Sequence, residues 1–221
     1  MKTLILSLLS AGAMCAAAFG QISIGVNFYT SFTTDPSKAI DGPNVELAGV
    51  DSTVVTGANT NRQDNWNDIA GGASNGSGTQ NSLVDSNGAA TGVDLTWSGT
   101  DIGGSTNWPG STNDGILLSG FLLGFNATAS ASFSGLSSTF SNFYDVIVYI
   151  SADGIIEAPD IALRQGGNIV ASGTVNDTVA GGAQFNFPTD YNEASLDSDG
   201  NYIVFHGLSG DSLVVESSQA M

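Results

Sequence analysis

The side chains able to do chemistry are few and sit in an acidic, glycine-rich background. Aspartates outnumber glutamates 17 to 4 in this 221-residue chain, which has one histidine, His206, and one cysteine, Cys15. Two segments, Asp197-Ser-Asp199-Gly200-Asn201 and Asp85-Ser-Asn87-Gly88, place oxygen donors two residues apart before a glycine. That spacing suits Ca²⁺, a hard cation that takes about six to eight oxygen ligands. Asp197, Asp199 and Asn201 are the ligands this reading selects, and calcium is its cofactor. Neither segment completes an EF-hand loop, because with Gly200 as the turn glycine His206 stands where the bidentate Glu belongs. An Asx-turn closing a hairpin is the simpler reading of both.

Catalytic groupings are weaker. Glycoside cleavage needs two carboxyl groups at a set separation across the sugar. The nearest candidates are Glu157 with Asp153 and Asp160, and Glu193 with Asp197. No strand carries acids in alternation along one face, so solvated turn acids are the better reading. Gly72-Ala-Ser74-Asn-Gly76 matches the nucleophile-elbow spelling, but that elbow needs a strand before it and a helix after it. Here it falls in a polar stretch, with His206 the one available base.

The aromatic residues offer a third chemistry. Sugar rings stack their C–H faces on Trp while amides and carboxylates take their hydroxyls. Trp66 is flanked by Asp64, Asn65, Asn67 and Asp68, and Trp108 by Asn107. Trp66, Asn67, Asp68 and Trp108 are therefore the candidate ligand-binding residues, with extracellular polysaccharide as the partner. The competing reading makes each Trp a plug that pins its loop to the end of the domain. Trp97 reads as core.

These residues must be positioned by strands. Ile22, Ile24, Val26 and Phe28 alternate with polar or small residues, as do Val93, Leu95 and Trp97, and Ala129, Ala131 and Phe133. Period two is the signature of a half-buried strand. Residues 144–150 are apolar on both faces, which suits a central strand covered on both sides. Further strands are predicted at 161–163, 169–171, 184–187, 202–206 and 213–215. Residues 115–125 are the one helix candidate, weakened by Gly120 and Gly124. Two polar stretches, 57–82 and 98–114, read as long loops. Phe133-Ser-Gly135-Leu136-Ser137 echoes Phe205-His-Gly207-Leu208-Ser209, which shared turn chemistry explains as well as duplication does.

The first twenty residues have the pattern of an export signal: Lys2, an apolar run from Leu4, and Ala18-Phe19-Gly20 at the cleavage site. Cys15 lies inside that leader, and Gly12 stands where a lipidation signal needs an aliphatic residue. The mature chain, from Gln21, then has no cysteine and no disulfide to hold it. Hydrophobic residues make up 41% of the chain, enough for a packed core, while charged residues are only 11%. A net charge of -17 excludes partners that need clustered Lys and Arg, namely nucleic acid and anionic membrane surfaces. No apolar run after the leader reaches the ~20 residues that would span a bilayer.

Trp66-Asn67-Asp68, the run from Leu83-Val-Asp-Ser-Asn-Gly88 to Leu95, Gly135-Leu136, Tyr144-Asp-Val-Ile-Val-Tyr149 and Gly200-Asn-Tyr-Ile-Val-Phe-His-Gly-Leu-Ser-Gly-Asp-Ser212 are jointly familiar. Together they resemble an exported bacterial domain of the PEP-CTERM class, proteins sorted by exosortase through a C-terminal Pro-Glu-Pro signal. The resemblance implies a β-sandwich at the cell surface, associated with exopolysaccharide and biofilm. Its motifs are strand-and-turn signatures, and the sorting tail does not follow Met221, so a truncated chain and a secreted protein are both expected alternatives.

The expected fold is all-β: an antiparallel β-sandwich of jelly-roll type, galactose-binding-like or concanavalin-like, over residues 21–221 after a 1–20 leader. Three functions fit it. A non-catalytic surface or matrix module comes first, a carbohydrate-active enzyme (glycosidase or lyase) second, and a structural adhesin or matrix subunit third. The leader pattern predicts an exported product whose mass begins at Gln21; a product that keeps Met1 refutes it.

Overall fold

The structure, a computed structural model, describes residues 4–7, 22–30, 65–71, 76–104, 120–124, 127–150, 160–176, 193–200 and 202–218. It is an all-β sandwich. The strands are β1 (Leu4–Ser7), β2 (Ser23–Thr30), β3 (Asn67–Gly71), β4 (Ser77–Gln80), β5 (Asp94–Ser98), β6 (Asp101–Gly104), β7 (Gly120–Leu123) and β8 (Ala129–Ser134). After a one-turn helix α1 (Leu136–Thr139) come β9 (Tyr144–Tyr149), β10 (Asp160–Gln165), β11 (Asn168–Asn176), β12 (Glu193–Ala194), β13 (Ser198–Asp199), β14 (Tyr202–Leu208) and β15 (Ser212–Ser217).

One sheet has the order β12-β14-β9-β1-β2-β3 and the other β13-β11-β10-β15-β8-β5-β4; β6 and β7 form a separate hairpin. The sheets share one core. Ile24, Val26, Phe28, Val146 and Val148 come from the first, and Leu95, Phe133, Leu163, Leu213 and Val215 from the second. Alternation does this directly: in β8 Ala129, Ala131 and Phe133 point inward while Ser130, Ser132 and Ser134 point out. Phe28 meets Trp97 edge to face across the sandwich, ring centroids 6.1 Å apart.

The expected central strand is β9, which runs between β14 and β1 with both its faces covered: Ile147 and Tyr149 on one side are as buried as Val146 and Val148 on the other. Other details differ from the sequence reading. Three pairs are parallel (β2 with β3, β11 with β13, β12 with β14), so the sandwich is mixed rather than wholly antiparallel. Each parallel pair brings a peripheral strand, β3, β12 or β13, to lie along a longer one. Within the helix candidate, residues 120–123 form β7, paired with β6; Gly120 and Gly124 disfavour a helix there, and the pairing overrides the helix propensity of Leu122 and Leu123. Residues 115–119 and 125 lie outside the described residues, as do those of the strand expected at 184–187.

The two echoing segments share their turn chemistry. Gly135 (φ 75°) and Gly207 (φ 68°) both have left-handed backbone, which glycine adopts without a Cβ clash.

Tyr202 stands beside Tyr149 on the outer side of the first sheet and donates to Glu193 Oε2 at 3.3 Å. Burial, and then the Glu193 carboxylate, push its phenol from the ordinary 10.0 up to about 12. A phenol harder to ionise folded than unfolded contributes stability that is complete below pH 10 and lost as pH rises towards 12. Alkaline unfolding should therefore steepen between pH 10 and 12, and Tyr202→Phe should flatten that part of a stability-against-pH curve.

Candidate functional site

Trp66 immediately precedes β3, which Asn67 and Asp68 begin, and the structure turns the expected stacking edge inward. Trp66 is 0% exposed, so its ring is no platform for a sugar here. The polar neighbours that suggested a wet loop bond the protein itself. Asn67, also 0% exposed, donates through Nδ2 to Gly25 O and Val84 O, both at 2.9 Å, and accepts Val84 N at 2.8 Å. Asn65 has left-handed backbone (φ 57°) and donates to Ser86 O at 3.1 Å. Asp68 accepts Asn27 Nδ2 at 3.1 Å. Trp108 lies outside the described residues.

The loop that Asn65 and Asn67 hold is the Asp85–Gly88 segment, and there the Asx-turn is realised. Asp85 Oδ1 accepts Asn87 N at 2.8 Å and Ala89 N at 3.0 Å. Ser86 N then donates to Ser23 O of β2 at 2.8 Å. The familiar Trp66-Asn67-Asp68 and Leu83-to-Leu95 motifs are thus two halves of one clamp, packed on β2.

The second oxygen-rich segment is similarly committed. Asp197, with left-handed backbone (φ 64°), donates its N–H to Thr174 O at 2.7 Å and accepts Thr174 N on Oδ1 at 3.0 Å. Ser198 Oγ donates to Ser195 O at 2.8 Å and Asp199 pairs with Asn176 of β11. Asn201 lies outside the described residues. Among the described residues no three His, Cys, Asp or Glu side chains gather to hold a metal. The carboxylate expected to meet calcium instead closes the β11 edge.

Of the catalytic candidates, Ser74, Asp153 and Glu157 lie outside the described residues. Asp160 accepts Thr174 Oγ1 at 2.7 Å. His206 pairs through Nδ1 with Asp145 Oδ2 at 2.8 Å, its side chain 69% exposed, and Asp145 Oδ1 also accepts Gly207 N at 2.8 Å. Asp145 therefore closes the irregularity where β14 slips against β9 between Phe205 and Leu208. That dyad, 61 residues apart in sequence, was invisible to spacing. An oriented imidazole suits a base, but its described partner is a carboxylate that a backbone bulge already uses. At the same end, Asp211 accepts Ser137 N at 3.1 Å and the Ser137 hydroxyl; these donors hold its carboxyl below the usual carboxylate range.

A different surface stands open. The outer face of the second sheet carries Thr79, Thr96 and Ser132 in one cross-strand row and Ser98 and Ser130 in the next. Thr79 Oγ1 and Thr96 Oγ1 are 3.2 Å apart. Of the charged groups on this face, Glu216 pairs with Arg164 at 2.8 Å, while Asp94 and Asp160 have neutral partners, Ser82 N at 2.8 Å and Thr174 Oγ1 at 2.7 Å. In a chain of net charge -17 these two rows themselves carry hydroxyls and no charge. Sequence reading passed it over because Ser and Thr alternation was used only to find the buried face.

Compared with known proteins, the chain matches no family model, no curated protein and no solved structure. No helix among the described residues is long and apolar enough to cross a membrane.

The buried clamp fixes an expected outcome. Trp66→Ala should cost about 3–5 kcal/mol in urea unfolding, as for other buried aromatics. Asn67→Ala, which strands a buried N–H, should cost about 1–3 kcal/mol. A Trp66→Ala change within about 0.5 kcal/mol of the parent would return the ring to the surface.

Proposed function

We propose that this chain is a non-catalytic module of the bacterial cell surface or extracellular matrix, exported by its leader, that meets neutral polysaccharide through the outer face of its second sheet. The observation that carries this reading is the pair of uncharged hydroxyl rows around Thr96 and Ser132, in a protein otherwise strongly acidic. A flat lattice of hydroxyls can exchange hydrogen bonds with a sugar chain, directly or through water. Anionic glycans are repelled by the net charge within the ~8 Å reach of electrostatics in physiological salt. The PEP-CTERM resemblance supports the same setting, with a jelly-roll type of sandwich. The non-catalytic part rests on the acids: Asp85, Asp145 and Asp197 are all engaged by backbone N–H groups, of a turn, of the β14 bulge and of β11.

Hydroxyl contacts replace water contacts almost evenly, so single-site affinity should be about millimolar, worth ~4 kcal/mol. Thr96→Lys and Ser130→Lys each raise a charged post on the face. Each should cut retention on an insoluble neutral glucan by roughly tenfold, about 1.4 kcal/mol, while urea stability stays within about 0.5 kcal/mol. Unchanged retention in both variants, or release of reducing ends or unsaturated sugars by the parent, would sink the proposal.

A further inference from the structure

The strand at the middle of the first sheet comes from the segment that the leader pattern marks for removal. β1 pairs on one side with β2 (Leu4 opposite Val26, Ser7 opposite Ser23) and on the other with β9 (Leu4 opposite Val148, Ser7 opposite Asp145). Both pairings are antiparallel, so β2 and β9 run parallel to each other with β1 between them. Neighbouring strands lie about 4.7–4.9 Å apart, so taking β1 away leaves a slot of about 10 Å between β2 and β9.

The walls of that slot are anchored separately. β2 is bound to the clamp through Asn67 to Gly25 O and through Ser86 N to Ser23 O, and its Phe28 meets Trp97 of β5. β9 is bound through Tyr144, whose hydroxyl accepts Gln165 Nε2 of β10 at 2.9 Å and whose ring packs on Phe140. β2 is thus tied to one end of the second sheet's strand order and β9 to the other, and β5 and β10 are separated there by β8 and β15. Sliding β2 and β9 together would break one set of anchors. Left open, the slot strands backbone donors and acceptors beside Ile24, Val26, Val146 and Val148, all buried in the core.

We propose that export empties this slot and that the mature protein takes into it an extended, apolar, uncharged strand donated by another protein. The donated strand runs antiparallel to β2 and β9, in the register that Leu4-Ile-Leu-Ser7 occupies in the full-length chain. Strand addition of this kind derives affinity from main-chain hydrogen bonds and selectivity from the side chains that alternate along the donor. The inference rests on the export reading and extends it: the leader strand is a placeholder that keeps the sheet whole until a partner replaces it.

The experiment uses the exported product of the full-length gene and a synthetic peptide of residues 2–12, with a Leu6→Pro peptide that cannot donate to the ladder as control. Mass spectrometry first reads the N-terminus: a product that still carries residues 4–7 overturns the proposal through the export reading it rests on, before any peptide is added. For a product that begins at Gln21, the peptide at about a hundredfold excess over its Kd should raise the melting temperature by roughly 5–10 °C. It should also slow amide exchange at residues 23–26 and 145–148 by about tenfold or more, and the proline peptide should do neither. If the mature chain aggregates alone, recovery with the parent peptide supports the slot, and failure of both peptides to recover it overturns the proposal. Amides at those positions already protected without peptide, together with an unmoved melting temperature, show that β2 and β9 have paired directly and overturn it. Dimers that excess peptide does not dissociate overturn it in favour of a second copy.

Discussion

The buried amide of Asn67 is the constraint on which the arrangement turns. Its three hydrogen bonds join β2, the start of β3 and the segment that leads into β5. An amide is one of the few side chains that can satisfy a backbone carbonyl and a backbone N–H at once, which a carboxylate of the same shape cannot do. Because the site is fully buried, no water can stand in for a missing partner, and the bonds must be made together or not at all. The consequence reaches both sheets. Val84 is the hinge between the clamp and the second sheet, and Gly25 lies in the strand that lines the core opposite it. Residues that look like a wet, sugar-facing loop in the sequence are therefore the joint that sets how the sheets meet.

What the sequence made legible follows from that distinction. Alternation found β2, β5, β8 and β15 because one face of each is apolar, and in β5, β8 and β15 burial tracks period two, while β9 was legible as a run apolar on both faces. It missed β3, β4 and β6, whose residues (Asn-Asp-Ile-Ala-Gly, Ser-Gly-Thr-Gln and Asp-Ile-Gly-Gly) carry little β-branched or aromatic content. β3 and β4 are edges, stabilised by their neighbours more than by their own side chains. Gly78 illustrates this: a Cβ there would come within 2.4 Å of the Trp97 ring, so the strand fits because it lacks a side chain. The site was less legible than the fold. A Trp among Asn and Asp has the same composition whether its polar neighbours meet solvent or clamp a backbone, and only the register of β2 with β3 decides which.

Charge follows the same logic. With so few Lys and Arg, the protein cannot neutralise its acids by ion pairs, and among the described residues Arg164 with Glu216 is the one Arg–carboxylate pair. Backbone N–H groups take that role instead, at Asp85, Asp145, Asp197 and Asp211. Each such bond is short-ranged and little affected by salt, unlike a surface ion pair. These four aspartates thus carry charge and hold backbone at once: Asp85 in a turn, Asp145 at the β14 bulge, Asp197 against β11 and Asp211 at the start of α1.

The two sheets differ in what they can offer a partner. Both faces of the first sheet are buried at its centre, where Asn27, Ile147, Tyr149 and Tyr202 turn away from the shared core yet remain shielded from solvent. A strand lost from that sheet opens the interior of the molecule, since neither face is adapted to water. The second sheet is amphipathic, with Leu95, Phe133 and Leu213 inside and the Thr96 and Ser132 hydroxyls outside. The second sheet therefore leaves a side-chain surface open to solvent, and the centre of the first leaves none.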